Sequence, residues 1–174
     1  MFVRQAEQLG LGHAVLCAER AVGNDPFAVL LADDFLTDYG PGVTADLAAA
    51  FSKTGKSQLS VMEVDGPDIA KYGVVVPNDH GMGIAGLIEK PAPNEAPSNL
   101  ASIGRYVLTP DIFTTLRGLS AGSGGEIQLA DAINIHAQNG AVETVGLIGR
   151  RFDCGSVDGF IRASIHEFSS RGLI

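Results

Sequence analysis

The feature that most constrains the fold is the apolar run Phe27-Ala28-Val29-Leu30-Leu31-Ala32, which stops on two carboxylates, Asp33-Asp34. A short continuous apolar run is the pattern of a strand buried on both faces, as in sheets covered by helices. In open α/β sheets, ligands collect beyond the carboxyl ends of such strands. The run therefore predicts a covered sheet with a polar site at its end.

The flanking sequence alternates between helical and strand periods. Small and apolar residues recur at helical spacing from Gly12 to Arg20, and Val43 to Lys53 reads as a helix stopped by Gly55. Strands are expected at Gln58 to Val64, Gly73 to Pro77, Ile84 to Ile88, Leu100 to Leu108 and Val142 to Ile148. Thr109-Pro110-Asp111 reads as an N-cap with proline at the first helical position, opening a helix to about Arg117. Glu126 to Gln138 is a further helix, with Asn139-Gly140 as its stop, and Val157 to Ser169 closes the chain. Gly40-Pro41-Gly42, Gly81-Met82-Gly83 and Gly122-Ser123-Gly124-Gly125 are turns. Several strands follow one another without an intervening helix, so the sheet is mixed, with helices covering it.

Composition removes several function classes. At 174 residues the chain is one domain or part of a larger one. The 45% hydrophobic and 18% charged content is that of a globular protein and not of a disordered one. Net charge is −8, which opposes a broad nucleic-acid surface; Arg150-Arg151 is a local basic spot, read as two solvated charges at a strand end. No apolar run reaches the ~18–20 residues of a membrane span, and no secretory leader is visible. The two cysteines, Cys17 and Cys154, lack zinc spacing and read as reduced thiols in a cytoplasmic protein.

Six stretches could carry chemistry. Asp33-Asp34 could hold Mg²⁺ against substrate phosphates, since Mg²⁺ binds through one or two carboxylates plus phosphate oxygens; the alternative is a turn or cap. Phe152-Asp153-Cys154-Gly155 reads as a turn unless Asp153 is a second carboxylate for the same ion. In Ile88-Glu89-Lys90-Pro91, Glu89 could accept from sugar hydroxyls and Lys90 could neutralise a phosphate; the alternative is a solvated pair at a strand end. Gln5 and Gly10-Leu11-Gly12-His13-Ala14 form a glycine-rich turn feeding a helix, without the terminal Gly-Lys-Ser/Thr of a phosphate loop. His13 reads as a structural histidine, and His80, His136 and His166 stand in unrelated contexts, so nucleophilic catalysis through Ser or Cys is not expected. Finally, Gly73 opens a strand where backbone could meet a ligand, while Glu126 reads as complementing a helix dipole.

Taken in order, Gln5, Gly10-Leu11-Gly12-His13-Ala14-Val15, Leu31-Ala32-Asp33-Asp34, Tyr72-Gly73-Val74-Val75, Glu89-Lys90-Pro91, Pro97-Ser98-Asn99-Leu100, Gly104-Arg105-Tyr106, Glu126-Ile127-Gln128-Leu129-Ala130-Asp131 and Asp153-Cys154-Gly155 closely resemble the bacterial UTP–glucose-1-phosphate uridylyltransferases. The resemblance covers nearly the whole chain. It implies a Rossmann-like three-layer α/β nucleotide-diphospho-sugar transferase fold. It implies a reaction joining UTP and glucose 1-phosphate to give UDP-glucose and pyrophosphate, in which the sugar phosphate attacks the α-phosphorus in line. Such chemistry rests on positioning and charge neutralisation.

Position by position, the resemblance assigns Gln5 and Gly10 to the uracil, and Gly73 and Glu89 to the glucose. It assigns Lys90 to the phosphate next to glucose, and Asp33 and Asp153 to Mg²⁺, with Asp34 as the fallback for Asp33. A homo-oligomer is expected from the same resemblance. The family's amino-terminal segment, with the glycine-rich loop that cradles the UTP triphosphate, has no counterpart here. Residues 1–174 are therefore expected to form a single, N-terminally incomplete domain with an open sheet edge, inactive or nearly so by itself. The competing readings are a non-catalytic sugar-phosphate-binding or oligomerisation module, and a nucleotidyltransferase using another nucleotide or sugar. A metal-dependent glycosyltransferase would fit Asp33-Asp34 but not the later motifs.

Overall fold

The computed structural model describes residues 1–78 and 83–172; His80, Gly81 and Met82 lie outside the described residues. The helices are α1 (Leu11–Cys17), α2 (Glu19–Val22), α3 (Val43–Thr54), α4 (Ile112–Gly118), α5 (Leu129–Gln138) and α6 (Val157–Ser170). The strands are β1 (Phe27–Leu30), β2 (Asp34–Leu36), β3 (Ser57–Glu63), β4 (Gly73–Pro77), β5 (Ile84–Glu89), β6 (Leu100–Leu108), β7 (Val142–Gly146) and β8 (Arg151–Asp153).

The main sheet runs β5-β4-β6-β3-β7, with β1 also paired to β6. Only β3 and β7 are parallel; the other pairs are antiparallel. Strand β6 is the spine. Its nine residues are almost all buried, and it meets β3 along one edge and both β4 and β1 along the other. Alternate residues of a strand face opposite sides of a sheet. Leu108 thus joins the large core, with Leu59, Val75, Leu116 and Ile133, under α1, α4 and α5, while Val107 joins Val43 and Leu47 of α3 on the other face. The result is the expected three-layer mixed α/β arrangement.

Several local expectations are corrected. The apolar run stops being a strand at Leu30 and is not covered on both faces: Phe27 and Val29 are half-buried, while Leu30 is 55% exposed. β1 sits at a sheet edge, paired only with β6 among the described residues, so just one face reaches the core, where Phe27 stacks on Phe113 at 4.9 Å. The Gly12 to Arg20 helix breaks at Ala18 into α1 and α2. Pro110 precedes α4 instead of opening it, within the turn closed by Ile112 N–H on Thr109 O. β7 ends at Gly146, where its pairing with β3 stops at Val61 although β3 itself continues to Glu63.

The helix expected from Glu126 begins at Leu129. Residues 126–128 are extended because Ile127 pairs with the segment before α1: Ile127 N–H donates to Leu9 O at 2.7 Å, and Gly12 N–H donates to Ile127 O at 2.8 Å. This approach needs glycine. A Cβ at Gly12 would lie 2.7 Å from Ile127 O, and Gly10 adopts φ +93° against Glu126.

Candidate active site

A cavity of about 370 Å³ opens beside the carboxyl ends of β5 and β8 and the start of β4. It gathers Asp33, Gly73, Glu89, Lys90 and Asp153, five positions spread over most of the sequence. Gln5 and Gly10 do not line it. Gly10 adjoins it through Leu11 and Glu126, which do, and Gln5 is hydrogen-bonded to Gly10.

The wall formed by β4 and β5 is set by register. Gly73 pairs directly with Glu89, and a Cβ at Gly73 would stand 3.1 Å from Glu89 Oε2. The missing side chain is what leaves room for the carboxylate. Lys90 follows, its Nζ 3.6 Å from Glu89 Oε1 and its N–H donating to Tyr72 O at 2.9 Å. At φ +46° it is the one non-glycine residue with positive φ among those described. For an L-residue this conformation costs about 1–2 kcal/mol and persists only where neighbours enforce it.

The second wall is a two-stranded ribbon that the sequence reading missed. β2 and β8 pair antiparallel, with Asp34 opposite Asp153, Phe35 opposite Phe152 and Leu36 opposite Arg151. Residues 151 and 153 share one face of β8, as 34 and 36 do on β2. On that face Arg151 forms an ion pair with Asp34, which lies diagonally across the ribbon. Asp34 is buried and Arg151 largely so, at 5% and 14% side-chain exposure. Asp34 Oδ2 also accepts the Gly104 N–H at 2.6 Å, and its carbonyl accepts from Arg105 at 3.3 Å.

Asp34 is thus a structural carboxylate, which removes it as the fallback ligand. Arg151 is not a solvated charge: burial opposes its positive form, but the hydrogen bond and charge of Asp34 outweigh this and hold its pKa above the ordinary value. Arg151 also donates to Tyr72 Oη at 2.9 Å and lies 5.0 Å above the Tyr72 ring centre. On the other face of the ribbon Phe152 packs against Phe35 and His166. The signal for the ribbon, three-residue strands from distant parts of the chain, is too short to read as period.

Facing carboxylates on a ribbon repel one another. With Arg151 committed to Asp34, Asp153 makes no ion pair among the described residues, and its Oδ1 accepts the Gly155 N–H at 3.1 Å. Asp33 is exposed, and its carboxylate has no hydrogen bond or ion pair among the described residues; its carbonyl accepts the Cys154 N–H at 2.7 Å. A Cβ at Gly155 would stand 3.1 Å from Asp153 Oδ1 and 3.2 Å from Asp33 Oδ2, so the two carboxylates flank one small space. Five carboxylates and three cationic side chains line the cavity, a surplus of two negative charges. Two carboxylates and phosphate oxygens are what a hard divalent ion takes, so these residues fit such an ion. Tyr106 lines the same cavity, and burial pushes its pKa up to about 12, so it stays a neutral phenol.

Beside the cavity, Gln5 Nε2 lies 3.1 Å from Gly10 O and 3.0 Å from His13 Nδ1. Glu126, expected as a helix-dipole partner, instead stands at the cavity rim and accepts from Gln128 at 2.8 Å.

The family model for nucleotidyl transferases matches residues 1–169. The chain belongs to the nucleotidyl transferase family. Among relatives of this chain, the UTP–glucose-1-phosphate uridylyltransferase of Pseudomonas aeruginosa is 44% identical over 167 residues, 94% of this chain and 60% of that protein. The UTP–glucose-1-phosphate uridylyltransferase 2 of Staphylococcus saprophyticus is 43% identical over 167 residues, 94% of this chain and 57% of that protein. A crystal structure of UDP-glucose pyrophosphorylase complexed with UDP-glucose superimposes with a TM-score of 0.91 at 40% identity, over 98% of this chain and 66% of that one. The chain thus spans about three-fifths of the length of the curated relatives it matches. No described helix is long and apolar enough to cross a membrane.

Proposed function

We propose that this chain carries the sugar-phosphate side and the metal carboxylates of a Mg²⁺-dependent UTP–glucose-1-phosphate uridylyltransferase. The observation that carries the reading is the grouping of Asp33, Gly73, Glu89, Lys90 and Asp153 around one cavity with an acidic surplus. Substrates that are themselves polyanions need that surplus reversed, and Asp33 and Asp153 would hold the ion that reverses it. When bound, Mg²⁺ supplies charge neutralisation on phosphate oxygens.

The chain's own residues do the rest. Glu89 accepts from glucose hydroxyls, in the space that Gly73 leaves open. Lys90 donates to the phosphate of glucose 1-phosphate, holding its oxygen in line with the α-phosphorus of UTP. The bond formed joins that oxygen to the α-phosphorus; the bond broken releases pyrophosphate. Positioning of this kind accounts for much of the rate in phosphoryl-type transfers. Gln5 and Gly10 contact the uracil. Arg151 and Asp34 touch no substrate in this scheme; they hold Asp153 and Asp33 together. In the same reading residues 1–174 are a single partial domain of a cytoplasmic homo-oligomer, with neither nucleic-acid nor membrane partners.

Calorimetric titration of UDP-glucose with Mg²⁺ into the purified chain tests this. Wild-type binding should weaken about tenfold or more in Lys90→Ala, which removes a charge-assisted contact. Asp33→Ala should weaken binding with Mg²⁺ present and change little without it. A folded wild-type chain that does not bind UDP-glucose, or binds it unaffected by both substitutions, sinks the reading.

A further inference from the structure

We infer that His13 is a specificity-determining positioning residue: together with the Gly10 carbonyl, one of its ring nitrogens locks the Gln5 carboxamide so that the amide oxygen alone is offered to a nucleobase. The inference rests on the proposed contact of Gln5 with the base.

The argument starts at Gly10. Its carbonyl can only accept, and it is fixed by the first turn of α1, where Ala14 N–H donates to it at 3.1 Å. Gln5 Nε2 donates to the same oxygen at 3.1 Å. A flipped amide would set Oε1 against that carbonyl, two acceptors with no proton between them. The Gln5 NH₂ group therefore points inward. Its second hydrogen meets His13 Nδ1 at 3.0 Å. With both amide hydrogens engaged, Nδ1 is the acceptor and carries the lone pair. The neutral ring then has its proton on Nε2, which faces Cys17 Sγ, a weak acceptor, at 3.8 Å.

What remains of Gln5 is Oε1, which makes no hydrogen bond among the described residues. It is an acceptor that cannot exchange places with a donor. A base with a ring N–H at the matching edge, such as uracil at N3, can pair with it. Cytosine presents a lone pair at N3 and would be refused. Without His13 only the Gly10 carbonyl opposes the flip, and a glutamine held by that one hydrogen bond turns its amide over more readily to pair with either base. Discrimination of this kind comes from the repulsive arrangement as much as from the favourable one. His13 and the Gly10 carbonyl supply it together, and His13 does so without touching the base.

Two measurements on the full chain test this. Long-range ¹H–¹⁵N NMR should find His13 protonated at Nε2 and bare at Nδ1; a proton on Nδ1 overturns the inference whatever the chain binds. Titrations of UDP-glucose and CDP-glucose with Mg²⁺ then compare wild type, His13→Leu and His13→Asn, each verified as folded by circular dichroism. The preference for the uridine sugar should fall about five- to tenfold in His13→Leu, the equivalent of one hydrogen bond. It should return in His13→Asn, whose Oδ1 can accept near the place of Nδ1. An unchanged preference in His13→Leu overturns the inference. A wild-type chain that binds neither sugar nucleotide defeats the uridylyltransferase reading instead, and the ring proton then decides the inference by itself.

Discussion

The β4–β5 wall of the cavity and the β2–β8 ribbon that shares it hold their side chains by different forces. β4 and β5 belong to the six-stranded sheet, and Val74, Val75 and Leu87 bury their side chains in its cores. Gly73 meets Glu89 because backbone register puts them opposite. The ribbon has three residue pairs and, among the described residues, no strand beyond them. What fastens its inner face is a buried ion pair, Asp34 with Arg151, and the Gly104 N–H that Asp34 accepts. The first wall places its ligands by backbone, the second by charge. A side-chain substitution should therefore be absorbed in one wall and felt throughout the other.

The largest effect is expected at Arg151→Met. It leaves the Asp34 carboxylate buried without its cation, and breaking such a pair costs about 3–5 kcal/mol. Adding Asp34→Asn should recover part of this, because two neutral groups then replace a stranded charge. Urea unfolding of the two variants measures both. The charge-held account of the ribbon fails if Arg151→Met unfolds within about 1 kcal/mol of wild type, the usual range of a surface change. Gly73→Ala is the matching change in the other wall. Its Cβ meets only the movable end of Glu89 at 3.1 Å and Leu87 at 3.6 Å, so stability should change little while sugar contact suffers.

The same contrast explains what the sequence disclosed. β4 and β6 match their expected bounds, and β5 comes within one residue, because each is long enough to show its period and ends at a turn residue. Gly73, Glu89 and Lys90 were legible with them. Asp33-Asp34 and Asp153 stand out in the sequence as carboxylates at segment ends, but the preference for Asp33 over Asp34 and its grouping with Asp153 come from the family resemblance. Nothing local marks Phe152-Asp153 as a strand, and nothing in Arg150-Arg151 says that Arg151 turns inward to a carboxylate on a distant segment. The run at Phe27 misled for a related reason. An apolar run says that a segment prefers burial, but the number of covered faces depends on its place in the sheet, and β1 lies at an edge. Glu126 misled because pairing of Ile127 with Leu9 and Gly12, contacts of long range, overrode helical pattern.

Lys90→Gly separates placement from stability in the β4–β5 wall. Glycine adopts positive φ without penalty, so relief at φ +46° should offset the added freedom of the unfolded chain. Stability is expected to stay level or rise by up to about 1 kcal/mol, while UDP-glucose affinity falls as it does in Lys90→Ala. The two readouts move in opposite directions only if the strained backbone is kept for the side chain it presents. A loss of stability beyond about 1 kcal/mol would mean that Lys90 holds the wall together instead.

The smallest effect is expected where the two walls meet. Tyr72 directly precedes Gly73, and its hydroxyl accepts from Arg151 at 2.9 Å, so one residue joins the backbone-placed wall to the charge-held ribbon. Tyr72→Phe keeps the ring beneath the guanidinium and removes only that oxygen. The loss should be about 0.5–1.5 kcal/mol in urea unfolding, the range of one hydrogen bond, because the Asp34 ion pair still anchors Arg151. Its diagnostic value lies in combination. If Tyr72 acts through Arg151, Tyr72→Phe should cost almost nothing further in a chain that already carries Arg151→Met. Full additivity would show that the walls are fastened independently, and that Asp33 and Asp153 keep their separation from Glu89 and Lys90 by the sheet alone.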